Sequence, residues 1–239
     1  MENHIVLEPE VLGYLGILPV TNTLLVSWMV MVILILVSII TTWKIKVIPS
    51  GLQNFFEYII EVGYTTVEEL AHKRAKVFFP IVMTFFLYIL FGNLLGLFPG
   101  FATITYKSEP LLRSINSDLN MTLGLALTSA VATHGFALYY LGLVEYLKKW
   151  FTLNPIFLFV GILELVGEVT KIVSLSFRLF GNIFAGEVVL ATVASIFAFI
   201  IPLPFYFLEI IVGFVQAAVF MMLTLVFMVL LSEKHAEQH

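Results

Sequence analysis

Cysteine is absent from the 239 residues, so a disulfide framework, thiol chemistry and a Cys-based metal site are all excluded. Charge is nearly as scarce, with Asp, Glu, Lys and Arg making up 12% of the chain and a net charge of -4. Because no long basic run exists, neither nucleic acid nor an acidic soluble partner is expected. What fills the chain instead is apolar: 60% of residues are hydrophobic and the mean hydropathy is +1.04. A chain of this composition cannot present an ordinary soluble surface and needs lipid around it. The polar loops are too short to hold a second folded unit, so residues 1-239 are read as a single membrane domain.

The opening segment, 1-23, is acidic rather than basic and has no small-residue cleavage pattern, so it is read as an extracytoplasmic segment and not as a cleaved signal. The run 24-43 has about the 20 residues that a helix rising 1.5 Å per residue needs to cross a bilayer core. Lys44 and Lys46 behind it set that end in the cytoplasm. Residues 45-76 mix Phe55, Phe56, Tyr58, Ile59 and Ile60 with Glu57, Glu61, Glu68, Glu69, Lys73 and Arg74, the pattern of an interfacial amphipathic segment. A second span, 77-98, stops at Pro99-Gly100, and a third, 119-143, returns toward Lys148 and Lys149. From 155 to 201 the chain is apolar for longer than one perpendicular crossing requires, which fits a long tilted helix. A break at Pro202 and Pro204 leads to a final span, 205-231, and a cytoplasmic tail, 232-239. The fold expected is an all-α integral membrane protein of about five crossing helices plus an interfacial amphipathic helix, the last two crossings forming a long tilted hairpin.

Charges inside spans are the informative exceptions, since each costs roughly 2.5 to 3.5 kcal/mol at a helix centre unless it meets water or a partner. At 100° per residue, Ser174, Arg178, Asn182 and Ala185 share a stripe with Lys171 and Glu164, and Glu168 sits near its edge. Glu187 falls on the opposite side of the same helix. On the last helix Glu209 and Gln216 share a face, with Gly213 and Ala217 small enough to admit another backbone. One reading of Arg178 is an interhelical salt bridge to Glu187 or Glu209; the other is an aqueous ion path, favoured because the scattered carboxylates outnumber what one Arg neutralises. Guanidinium keeps its proton, so Arg178 suits a fixed barrier or counter-charge rather than a carrier. Partly desolvated carboxylates such as Glu187 and Glu209 can load and release protons near neutral pH, and Asn182 and Gln216 can hold waters beside them. Asn93 and His134 are further polar groups in spans, each also open to plain interhelical bonding. No ligand spacing for a metal and no motif for a cofactor is present.

The segment Ser174-Leu175-Ser176-Phe177-Arg178-Leu179-Phe180-Gly181-Asn182-Ile183, continued by Ala185-Gly186-Glu187, resembles the signature of subunit a of F-type ATP synthases. Asp118-Leu119-Asn120, Asn93 with Gly92 and Gly96, and Gln216 add weaker matches, so the resemblance covers most of the chain. It implies a non-catalytic stator subunit for proton translocation beside a ring of c subunits, with peripheral-stalk b subunits and the other synthase subunits as partners and ATP chemistry elsewhere. Arg178 would face the ring carboxylates between two offset half-channels. Glu187 and Glu209 would line the extracytoplasmic one, with Gln216 and Asn182 close to Arg178. Many relatives carry His where this chain has Glu209, so its pH response should differ. Ser174, Glu168, Glu164 and Lys171 would lie toward the cytoplasmic half-channel, and Asn93, Asp118, Asn120 and His134 are weaker lining candidates. A bacterial plasma membrane is the expected location, with the N-terminus outside and the C-terminus inside. A secondary transporter is the rival reading, because Leu90-Phe91-Gly92-Asn93 and Leu179-Phe180-Gly181-Asn182 repeat a tetrapeptide, although their flanks differ.

Overall fold

The computed structural model describes residues 9–43, 45–49, 51–98, 100–101, 104–106, 109–150, 155–196 and 201–233. Lys44, the proline of the Pro99-Gly100 turn and most of the tail 232-239 therefore lie outside the described residues, as does the start of segment 1-23. The described residues are mostly helical, as expected for an all-α membrane protein, and five of the helical stretches are long and apolar enough to cross a membrane.

A short hairpin that hydropathy does not reveal comes first, β1 (Val11–Leu15) against β2 (Leu18–Thr21), turning at Gly16 with φ +68°. Helix α1 (Asn22–Thr42) starts where the Thr21 hydroxyl accepts from the Leu24 amide at 3.2 Å, a normal N-cap. Its outward face, including Ile35, Leu36, Ile39 and Ile40, is exposed and is suited to lipid. Helix α2 (Leu52–Ala71) is the amphipathic one, with Glu57, Glu61, Glu68 and Glu69 exposed and Val67 and Ala71 packed inward. A single 3-10 turn at His72–Arg74, with His72 at φ +47°, joins it to α3 (Ala75–Gly96).

Helices α3 and α7 (Pro202–Ser232) form the centre. Phe78, Val82, Phe85, Phe86 and Ile89 of α3 share one apolar cluster with Phe220, Leu225 and Met228 of α7, which also packs against α4 (Leu119–Leu141) and α6 (Pro155–Ile196), bringing in Ala126, Leu175 and Leu179. Between α3 and α4 lie a minimal hairpin, β3 (Thr105–Tyr106) with β4 (Glu109–Pro110), and a 3-10 turn at Ile115–Ser117. Asp118 caps α4 through the Asn120 amide at 2.9 Å and also accepts from the Thr23 hydroxyl at 2.8 Å, which ties this loop to the head of α1. At the other end α4 stops at Leu141, because Gly142 takes φ +78° and ends the helix as glycine often does. The chain then turns into α5 (Leu143–Trp150), a short helix that composition alone does not show.

Helix α6 runs for 42 residues, which at 1.5 Å each is about 63 Å, twice a hydrocarbon core of about 30 Å. It must therefore lie steeply tilted, and with α7 it forms the long hairpin expected from the sequence. Proline at the first helical position suits the start of α7, since its missing amide would be unpaired there anyway. Small polar pairs stitch the bundle where lipid offers no competing partner: Ser129 to Thr224 at 2.8 Å and Thr122 to Ser176 at 3.1 Å. Such bonds contribute about 0.6 kcal/mol each, so they set register more than stability.

Candidate functional site

The two faces of α6 differ in kind. Leu175, Leu179, Ile183 and Leu190 are buried against the bundle, whereas Ser174, Arg178, Asn182 and Ala185 point out of it. This is the polar stripe that the 3.6-residue period predicts. Among the described residues no carboxylate pairs with Arg178, and neither Glu187 nor Glu209 forms the salt bridge that would make its charge structural. A guanidinium on the outer face of a steeply tilted helix is tolerable in lipid only beside water or a partner of opposite charge.

Both termini of the Arg178 region open into space, but into different spaces. On one side an open groove runs along α6 past Leu163, Gly167, Lys171, Ser174 and Arg178, with Leu223 and Phe227 of α7 as its other wall. On the other side, beginning at Ile183 about 7.5 Å along the helix axis, a much smaller and more enclosed space is lined by both Glu187 and Glu209. Asn93, Gly96 and Ser114 complete its wall. Glu187 thus turns inward, away from Arg178, to meet Glu209 across the hairpin.

Glycine makes that meeting possible. The Glu209 carboxylate lies directly on the Gly186 backbone, in the space that any Cβ there would fill. Glu209 is 7% exposed and its Oε1 has no hydrogen-bond partner among the described residues. Glu187 lies within electrostatic range of Arg113 and within hydrogen-bonding range of Ser117, both from the loop before α4. Arg113 is itself held by Ser117, donating to its hydroxyl and its carbonyl at 3.3 Å each.

Two asparagines clamp α7 beside this cavity. Asn93 donates to the Gly213 carbonyl at 2.9 Å and accepts from Asn116 at 2.6 Å. Asn182 donates to the Gln216 side-chain oxygen at 2.7 Å, while the Gln216 amide nitrogen is buried without a partner among the described residues. Gln216 is thereby fixed one helical turn from Gly213 and between the two spaces. The repeated Leu-Phe-Gly-Asn tetrapeptide thus has a local explanation: each copy sends an Asn to α7, and both α3 and α6 continue as unbroken helices.

The remaining candidates divide. Ser174 and Lys171 line the open groove with Arg178. Glu168 accepts from Lys171 at 2.6 Å and faces His134 at 3.9 Å. Glu164 is half-exposed and lines neither space. Asp118 is committed to the α4 cap and to Thr23, and Asn120 is exposed in the first turn, so neither reaches the Glu187 cavity. Sequence reasoning missed Arg113, Ser114, Asn116 and Tyr146. Only Arg113, a basic residue in an otherwise weakly charged loop, carries a signal that could have pointed to it.

Comparison with known proteins gives the family. The family model for the ATP synthase A chain matches residues 24–229. ATP synthase subunit a of Trichlorobacter lovleyi is 33% identical over 210 residues, covering 86% of this chain and 85% of that one. The subunit a of Moorella thermoacetica is 32% identical over 220 residues, covering 92% and 94%, and that of Legionella pneumophila is 31% identical over 214 residues, covering 89% and 87%. On the family match and on these relatives, this multi-pass membrane chain belongs to the ATP synthase A chain family.

Proposed function

We propose that this chain conducts protons to and from a ring of c subunits through two offset half-channels, with Arg178 as the fixed positive gate between them. Family membership supports the coarser part, a proton-translocating and non-catalytic membrane subunit of the synthase. The observation that carries the finer part is the position of Arg178. It stands on the outer face of α6, unpaired among the described residues, with the Glu187–Glu209 cavity on one side and the Lys171–Ser174 groove on the other.

From that position the mechanism follows by elementary electrostatics. A guanidinium does not lose its proton, so a proton cannot hop through Arg178 from one space to the other. A deprotonated carboxylate on a neighbouring ring is attracted to it, and a protonated one is not. A proton delivered through Glu187 and Glu209 neutralises a ring carboxylate on one side, which frees it to enter lipid; it is released on the other side along the groove. Gln216 and Asn182, locked together, hold the boundary beside Arg178. The potential supplies about 2.3 kcal/mol per proton per 100 mV, which biases the direction. In this reading the Glu187 cavity opens extracytoplasmically and the groove opens to the cytoplasm, with the N-terminus outside and the C-terminus inside a bacterial plasma membrane. The other partners are the peripheral-stalk b subunits.

The test is Arg178→Ala in the reconstituted complex. ATP-driven proton pumping should disappear while ATP hydrolysis by the soluble part persists; coupled pumping in that variant would overturn the gate.

A further inference from the structure

The α4–α5 corner holds a cluster that neither Arg178 nor the Glu187 cavity uses. Tyr146 of α5 lies 2.9 Å from His134 Nδ1, oxygen to nitrogen, and His134 Nε2 lies 3.9 Å from Glu168 Oε2. The other Glu168 oxygen accepts from Lys171 at 2.6 Å, and Lys171 also sits 4.8 Å from the Phe227 ring centroid. Trp150 packs against both His134 and Tyr146, with ring centroids 6.5 and 6.1 Å away, and fixes the imidazole plane. A cavity of about 280 Å³ lined by Ser129, Thr133, Glu168 and Lys171 shares Lys171, Leu175 and Phe227 with the groove that contains Arg178. Polar groups thus continue from Arg178 to the short helix that ends the bundle on this side.

We propose that His134, clasped between Tyr146 and Glu168, is the group that exchanges protons with bulk water at the cytoplasmic end of the path. This rests on the orientation and the half-channels proposed above. Imidazole is the side chain whose ordinary titration falls between about pH 5 and 8, which suits a group that must load and unload in the cytoplasm. Burial, reinforced by the Glu168 charge, pushes the Tyr146 phenol above its usual range, so Tyr146 keeps its proton. Its hydroxyl donates to Nδ1 of the neutral ring, leaving the ring proton on Nε2 toward Glu168, and accepts from Nδ1–H of the imidazolium. Both charge states of His134 are therefore hydrogen-bonded. Inward transfer is balanced: water gives a proton to the Tyr146 oxygen as the phenol proton moves to Nδ1, and the Nε2 proton passes to the Glu168 carboxylate and on to water in the groove.

The electrostatic surroundings are simple. From α5 the ring faces Tyr146, with exposed Glu145 and Lys148 nearby; from α6 it faces Glu168 with Lys171 behind it and half-exposed Glu164 at a lower turn. Among the described residues the α7 wall of this region is Phe227 and Leu231, with exposed Glu233 at the end of that helix, and at the start of α3 Arg74 is engaged over the Tyr140 ring at 4.6 Å. Among these His134 is the only imidazole, while Tyr146 and Trp150 act as positioning residues.

The experiment measures ATP-driven proton uptake by inverted vesicles carrying the complete complex, as a function of external pH and normalised to ATP hydrolysis. External pH then addresses only the cytoplasmic end. His134→Gln should lose the wild-type titration, with the largest loss of rate, about threefold, on the alkaline side where proton supply limits. Tyr146→Phe and Glu168→Gln should each move the midpoint by about half a unit without abolishing uptake. A His134→Gln profile that superimposes on wild type, or that falls by one factor at every pH, overturns the proposal; if that variant does not assemble, unmoved midpoints in both Tyr146→Phe and Glu168→Gln do so. Because Arg178→Ala reports on the gate alone, an inactive Arg178→Ala beside an unchanged His134→Gln would reject the exchange site and leave the gate standing.

Discussion

The two ends of the α6–α7 hairpin handle carboxylates in opposite ways. At one end Glu187 and Glu209 share a small enclosed cavity; their hairpin supplies no cation, and the neighbouring positive charge comes from Arg113 in a loop. At the other end Glu168 is held by Lys171 of its own helix, one turn on, beside a much larger open groove. The enclosed end is built from close backbone approach, with Gly186 under Glu209 and Gly213 under Asn93. The open end is built from long side chains that reach across space. In the proposed reading the enclosed end would select by fit, and the open end would exchange freely with solvent. Arg178 sits where one regime changes to the other.

That contrast can be broken at several depths. Replacing both cavity carboxylates, Glu187→Gln with Glu209→Gln, should reduce proton flux by about tenfold or more, because proton relays of this kind contribute on the order of 10²-fold or more; near wild-type flux would mean that protons bypass the cavity. Glu209→His, which keeps a titratable group, should retain flux and change the shape of its pH profile, because burial disfavours the anion of Glu and the cation of His. A profile identical to wild type would remove Glu209 from the path. Gly186→Ala should act through Glu209: the added methyl takes the carboxylate's place, and a flexible side chain yields more easily than a backbone. Assembly should survive and flux should fall by severalfold, and loss of assembly instead would show that Gly186 serves packing alone. The smallest effect is Asp118→Ala, which removes the α4 cap and should lower thermal stability by about 1 kcal/mol with flux per assembled complex unchanged. Reduced flux at full assembly would return Asp118 to the path.

Hydropathy reads long elements well and short ones badly, and this chain shows why. The apolar runs of α1, α3, α4, α6 and α7 exceed what a bilayer needs, and a charge within them stands out at once, as Arg178 does. The helical period then separates Arg178, Ser174 and Asn182 from Glu187 without any structure, and the structure places these residues on outer and inner faces accordingly. By contrast α5 has only Leu143–Trp150, too short for a periodic signal, and it exists because Gly142 turns the chain. The β1–β2 hairpin is a local pairing of residues whose composition resembles the span that follows. Non-local contacts leave no trace in one sequence: nothing in the positions of Tyr146, His134 and Glu168, or of Asn116 and Asn93, states that they touch. Asp118 shows the reverse case. A carboxylate at the head of a span attracts a functional reading, and its hydrogen bonds here are those of a helix cap and of a tie to Thr23.

The absence of native cysteine makes the central claim directly measurable, since any thiol introduced into this subunit is unique within it. In sealed vesicles of known orientation carrying the assembled complex, single variants Glu209→Cys and Ser174→Cys would be treated with a membrane-impermeant thiol reagent from each side in turn. Two half-channels parted by Arg178 require Glu209→Cys to react only from the extracytoplasmic side and Ser174→Cys only from the cytoplasmic side. Reaction of both from the same side would contradict the account.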